Sequence, residues 1–220
     1  MSRKHGDDAA EETGKKHGRW FHNPIDRLTS RLPDPWRGVA DWAITIAIAV
    51  IAVFLLKGYV VNPYRIPSSS MEPELHCAEP GFGCEAKYND RVLANRFILH
   101  FRDPHRGDII VFDPPSDVVQ ACGAGGTYVK RLVGLPGETL SVRDGYVYID
   151  GKKLDEPYIE DVRRGTDNSG PWKLGDDEYF MMGDNRSASC DSRRWGPISR
   201  EQMIGPVLMV YWPPNRIGFR

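Results

Sequence analysis

Three short segments hold the residues able to do covalent chemistry. In YRIPSSSMEPEL, residues 64–75, three serines and Met71 stand between Pro67 and Pro73, whose rings restrict the backbone on both sides. A serine hydroxyl becomes a useful nucleophile only beside a base. In YVKRLVGLPGE, residues 128–138, Lys130 interrupts an apolar strand pattern; Tyr128 and Leu132 share its face, while Val129, Arg131 and Val133 take the other. Burial on that face would disfavour the ammonium and lower its pKa from about 10.4 toward neutrality, as a lysine base requires. The third segment, MGDNRSASCDSRRWGPI at 182–198, packs two aspartates, several serines and Arg186, Arg193 and Arg194 between Gly183 and Gly196. Each has an ordinary reading when taken singly: a serine-rich linker, a lysine on the solvent face, a salt-bridged surface turn.

The elements that must position these groups are short strands. With 22 glycines and 17 prolines in 220 residues the chain is rich in turns. RVLANRFIL, DIIVF, TYVKRLVG, TLSVR, YVYID, YFMMG and GPVLMVYW are runs of Val, Ile and aromatics bounded by Gly, Pro or Asp. Asp144-Gly145 between TLSVR and YVYID signals a tight hairpin, and Asp150-Gly151 marks another turn. The expected fold is mainly β, an antiparallel sheet domain, with exposed loops at 113–126 and 161–177. Twenty-nine Lys and Arg against 30 Asp and Glu leave a net charge of -1, so nothing global points to nucleic acid, and none is expected as a partner.

One N-terminal transmembrane helix is expected ahead of the β domain. Residues 42–61 run apolar but for Lys57, enough for roughly 30 Å of helix, and no polar stripe recurs at helical spacing. Residues 1–41 are polar and read as a cytoplasmic, disordered tail. Arg19, Arg27, Arg31 and Arg37 precede the span, against Lys57 and Arg65 after it. With 41 residues ahead of it and no small-x-small cleavage pattern in KGYVVNPYRIP after it, 42–61 reads as an uncleaved signal anchor in the plasma membrane, and the positive-inside rule puts the N-terminus inside and 62–220 on the outer face. Eight residues separate Asn62 from Ser70, so Ser70 is expected within about 28 Å of the lipid surface.

All four cysteines fall in the outer part, where an oxidising compartment permits disulfides. Of three possible pairings, the short Pro/Gly loop between Cys77 and Cys84 favours that pair, which leaves Cys122 with Cys190. Without a CxxC or a His pair at ligand spacing, no metal site is expected.

Together the segments resemble one family, the bacterial type I signal peptidases, over 64–212. PSSSM is similar to the family's P-S-x-S-M box, RGDIIVF at 106–112 to its R-G-D strand, YVKRLVGLPGE to its lysine box, and GDNRSASCDSR to G-D-N-R-x-x-S-x-D-S-R. The resemblance implies a serine endopeptidase that removes signal peptides from secreted preproteins after a small-x-small motif, with no cofactor. It implies Ser70 as nucleophile, Lys130 as general base and Ser68 as side-chain donor to an oxyanion hole that a backbone N–H near Ser70 completes. Ser189 would orient the lysine, and Asp184, Arg186, Asp191 and Arg193 would brace the site. Ile66, Pro67, Met71, Leu75, Tyr128 and Val129 are expected around the substrate pocket, with core packing as the other reading. Glu74 and Ser187-Ala188 depart from the common pattern at positions with no proposed catalytic group. Two competing readings stand beside this one: a hydrolase using His76, His100 or His105 with Asp103 or Asp108, and a non-catalytic membrane-tethered β domain that binds a partner.

Overall fold

The computed structural model describes residues 34–55, 61–116, 118, 122, 123 and 125–220. The chain divides into two units, Met1–Val53 and Phe54–Arg220. The described part of the first is a helix, α1 (Asp34–Leu55). It begins inside the stretch expected to be tail, because Pro35 supplies a backbone angle suited to the first turn and Ala, Ile and Leu continue it. Trp42, Ile46, Ile48, Ile51 and Phe54 are all exposed, so apolar side chains cover α1 all round. Among the described residues no helix is long and apolar enough to cross a membrane. Of the expected span 42–61, α1 supplies 42–55 and Val61 instead opens a β-strand, while 56–60 and the tail residues 1–33 lie outside the described residues.

The second unit is built from two antiparallel sheets. The larger runs in the order β1 (Val61–Arg65), β2 (Arg91–Asn95), β10 (Met203–Trp212), β3 (Ile109–Phe112), β4 (Tyr128–Gly134), β9 (Phe180–Met182), with β11 (Gly218–Phe219) also on β10. The ten-residue β10 joins its two halves: Met203 to Pro206 pair with β3, and Val207 to Trp212 with β2. This long strand sets the serine segment, which follows β1, against the lysine strand β4. Phe112 and Phe180 are fully buried in the core, and burying a side chain of that size stabilises by about 2–3 kcal/mol. β3 is buried at all four positions, Ile109 and Val111 in one apolar cluster with Ile66 and Met71, Ile110 and Phe112 in another with Leu132 and Met181.

The smaller sheet has the order β7 (Lys152–Lys153), β6 (Tyr146–Ile149), β5 (Thr139–Arg143), β8 (Ser169–Lys173). Its β5/β6 turn takes φ 49° at Asp144 and 76° at Gly145, the left-handed pair that the Asp-Gly signal calls for. Two expectations fail in detail. RVLANRFIL forms a strand only to Asn95, whose side chain accepts from the N–H groups of Phe97 and Ile98 and ends it. The supposed loop 161–177 holds a short helix, α2 (Asp161–Arg164), and β8, because Trp172 pairs with Leu140 and packs on Phe180.

Candidate active site

Ser70 sits in the 3-10 turn Ser69–Met71, entered through an extended Ser68. Met71 and Leu75 sink into the core and close the turn with a Leu75 N–H bond to the Met71 carbonyl at 2.9 Å. Buried Glu72 fixes the exit, accepting from the Cys77 N–H at 3.0 Å and pairing with His76. From the far segment, Asn185 holds the turn twice: its side-chain amide donates to the Ser69 carbonyl at 3.2 Å and its backbone N–H to the Ser70 carbonyl at 3.1 Å.

Lys130 stands opposite Ile110 in the β3/β4 register and is only 3% exposed. Its Nζ donates to Ser70 Oγ at 2.6 Å and lies 5.5 Å from the Tyr128 ring centroid. The lysine pKa falls to about 8: burial is the chief cause, Asp191 and Asp184 oppose it, and Arg193 adds to the fall. Ser68 Oγ lies 3.3 Å from Ser70 Oγ.

The polar segment after β9 packs against the serine turn. Gly183 donates its N–H to Asp191 at 3.0 Å, and its carbonyl accepts from Arg186 Nε at 3.0 Å. A Cβ on Gly183 would come closer than 3.0 Å to both the Ser70 carbonyl oxygen and Ser189 Oγ. Asp191 caps α3 (Ser192–Trp195) and is held by Arg193 through Nε at 2.8 Å and Nη2 at 2.9 Å. Burial pushes the Asp191 carboxyl up, but Arg193, the Gly183 N–H and the nearby Ser189 hydroxyl outweigh it and hold the group below the usual range. Asp184 takes a two-pronged bond from Arg131, Nε at 2.8 Å and Nη2 at 2.6 Å. Burial works against the Arg131 charge, but the Asp184 bond and charge outweigh it and raise its pKa. Arg193 also pairs with Asp167, and Arg186 with Glu156.

The expected site residues therefore converge, with two exceptions. Ser189 Oγ is buried at Gly183, near enough to Asp191 to help hold that carboxyl down but outside hydrogen-bond geometry, and is not bonded to Lys130. A cleft of about 260 Å³ beside Ser70 and Lys130 is lined by Ile66, Pro67, Met71, Tyr128 and Val129 as expected. Leu75 is not on it: fully buried beneath the turn, it serves the core. Tyr64, Arg65, Ser68, Gly125, Thr127, Ala188 and Cys190 are also on it. Sequence reasoning also missed Arg131 and Glu156, charged groups whose partners lie far along the chain. Both favoured disulfides form, Cys77–Cys84 and Cys122–Cys190. The histidines are engaged elsewhere: His76 with Glu72, His100 with the Phe97 carbonyl, His105 with Arg102. Among the described residues no three His, Cys, Asp or Glu side chains group as a metal site.

The sequence profile described as "Signal peptidase, peptidase S26" matches residues 39–212. The chain belongs to this family. A probable signal peptidase I-2 of Synechocystis sp. is 38% identical over 174 residues, 79% of this chain and 73% of that protein. The signal peptidase I of Bacillus amyloliquefaciens is 37% identical over 188 residues, 81% of this chain and 91% of that one. A crystal structure of a signal peptidase I from Enterococcus faecalis V583 is 31% identical, covers 48% of this chain and 97% of its own, and has a TM-score of 0.38. Membership in a peptidase family makes the Ser70 and Lys130 contact the place to look for peptide-bond chemistry.

Proposed function

We propose that this chain is a membrane-anchored serine endopeptidase that removes N-terminal signal peptides from secreted preproteins after a small-x-small motif. The observation that carries the reading is the 2.6 Å contact between Ser70 Oγ and a lysine withdrawn from water, its pKa near 8. A neutral amine at that distance takes the hydroxyl proton as Ser70 attacks the scissile carbonyl, a Ser/Lys variant of serine hydrolase chemistry. The developing oxyanion is met by a backbone N–H near Ser70 and by the Ser68 hydroxyl. Protonated Lys130 then returns its proton to the leaving amine, and a water activated by the same lysine frees the acyl-enzyme. Ser189, packed at Gly183, confines the lysine, while Asp184, Arg186, Asp191 and Arg193 keep the braced segment in place. The scheme asks for no metal or cofactor.

The narrow cleft, walled by Ile66, Met71, Tyr128 and Val129, suits small side chains before the cut. The apolar, uncovered surface of α1 supports a lipid anchor at 42–61, and the arginines before it support an inside N-terminus with the catalytic unit on the outer face of the plasma membrane. The non-catalytic reading has no need of a buried lysine on a serine, and the histidine reading has no histidine among the described residues on the cleft.

The test is cleavage of a purified preprotein in detergent by wild type, Ser70→Ala and Lys130→Ala, with the mass of the new N-terminus determined. Cutting after small-x-small, lost in both variants, is expected; full activity in Lys130→Ala would overturn the mechanism. Protease accessibility in sealed membrane vesicles checks the orientation.

A further inference from the structure

Glu156 lies in the connection between β7 and α2, outside every segment that the chemistry singles out. It is nonetheless buried, and three side chains meet around it. Arg186 binds both its oxygens, Nη1 to Oε2 at 3.2 Å and Nη2 to Oε1. Arg164 reaches Oε2 at 3.3 Å, and the Tyr158 hydroxyl donates to Oε1 at 3.3 Å. The Tyr158 ring in turn stacks under Arg131, 4.0 Å from its guanidinium carbon, the residue after Lys130 and the partner of Asp184.

Resting on the Ser70/Lys130 reading, we infer that Glu156 is a positioning residue for the reaction, acting through Arg186 on the Gly183 peptide that separates Ser70 from Ser189. Gly183 is clamped at both ends, its N–H by Asp191 and its carbonyl by Arg186. Asp191 is fixed by Arg193, but Arg186 has Glu156 as its only ion pair among the described residues, with the Asp184 carboxylate feeling its charge from further off. With that carboxylate neutralised, a buried guanidinium loses its only ion pair, keeps no more than the distant Asp184 charge, and is drawn toward water and away from the Gly183 carbonyl. The packing around Lys130 then loosens.

That consequence is measurable apart from stability. The charges that bear on Lys130 are Asp191, Asp184 and Arg193, with Tyr128 and Ser70 as its neighbours; Glu156 is not among them. A change in the lysine's titration on altering Glu156 therefore reports altered packing rather than a lost direct charge. Water entering beside Lys130 weakens its main perturbation, burial, and moves its titration upward.

The experiment compares pH profiles of kcat and kcat/KM for the full-length wild type, Glu156→Gln and Arg164→Met on one preprotein in detergent. For Glu156→Gln the expected result is kcat lower by about tenfold, KM within about twofold, and the rising limb moved up by about half a pH unit or more. Amide exchange at Gly183 should quicken in the same variant. Arg164→Met, which strips the other arginine from the same carboxylate, should leave kcat and the limb in place. If Glu156→Gln does not fold, Glu156→Asp, which withdraws the charge by one methylene, is read the same way. An unmoved limb with unchanged kcat in a folded Glu156 variant, or an equal shift in Arg164→Met, would overturn the inference. A wild type without the limb, or an active Lys130→Ala, would instead overturn the Ser/Lys reading beneath it.

Discussion

The Ser70 carbonyl oxygen and the Ser189 hydroxyl crowd one point in space, the place where a side chain on Gly183 would project. Asn185 pins that carbonyl from the same loop, so the nucleophile's backbone and the segment bearing Ser189 touch through a residue with no side chain. Gly183→Ala should therefore push the two segments apart. A displacement of about 1 Å at reacting groups can cost about 10²-fold in rate, whereas overpacking of this kind destabilises by only about 1–3 kcal/mol. Preprotein cleavage falling about a hundredfold, with circular dichroism and solubility retained, is the expected pair of results. Near-normal turnover would show that the contact tolerates a methyl group and that Gly183 does not set the geometry.

Activity should rise with pH through a limb centred near 8. Only neutral Lys130 can take the serine proton, and its pKa is brought down to about 8, chiefly by burial. Below the limb, kcat/KM should fall about tenfold per pH unit, the behaviour of a single required deprotonation. A profile of kcat/KM in detergent from pH 6 to 10 measures it. A limb near 6.5 would point to histidine instead.

The same burial makes Lys130 costly to the fold. Its folded-state pKa lies below the unfolded value of about 10.4, so between pH 8 and 10 the unfolded chain binds more protons and stability rises with pH. Below pH 8 the cost is fully present, about 3 kcal/mol from the size of the shift. Lys130→Met, inactive but apolar, should melt at higher temperature than wild type at pH 6, with the gap closing toward pH 10. A variant less stable than wild type at both pH values would show that the bond to Ser70 outweighs desolvation.

Ser68→Ala should slow the enzyme without abolishing it. The Ser68 hydroxyl is 3.3 Å from Ser70 Oγ and lines the cleft, placed to meet an oxyanion forming at the attacked carbonyl. Loss of one such donor costs about 10² to 10³ in kcat. KM should stay within about twofold, because the bond strengthens only as charge develops. Single-turnover cleavage separates the two parameters; a change confined to KM would assign Ser68 to ground-state binding.

Much of this arrangement was legible in the sequence because the site is carried by short segments whose side chains act locally. Alternation in TYVKRLVG placed Lys130 with Tyr128 and Leu132, and β4 buries it there. Asp144-Gly145 specified its turn through backbone angles that few other residue pairs adopt. What could not be read depends on distant pairing. Trp172 turns a polar stretch into β8 only because Leu140 and Phe180 wait for it, and Glu156 is one acid among many until Arg186 arrives from thirty residues away. In sequence Leu75 has two readings open, cleft or core, and it takes the core because the chain turns back after Met71, with the Leu75 N–H reaching the Met71 carbonyl.

The two disulfides should part company under mild reduction. Cys77 and Cys84 are buried and close a separation of 7 residues, whereas Cys122 and Cys190 are partly exposed and span 68. Access of the reductant favours opening of Cys122–Cys190 first. Loop entropy gives the longer bridge the larger share in stability, by about 2 kcal/mol. Cys190 also lines the cleft, between Ser189 and the Asp191 that holds Gly183. Cys122→Ser/Cys190→Ser should thus melt below Cys77→Ser/Cys84→Ser and show a raised KM as the cleft wall relaxes. Alkylation and peptide mass mapping along a reductant series fix the order of opening, and melts of the two double variants fix the energies. If the Cys77–Cys84 pair opened first, exposure would not govern these bridges. A KM unchanged in Cys122→Ser/Cys190→Ser would show that the segment bearing Ala188 and Cys190 keeps its place without the disulfide.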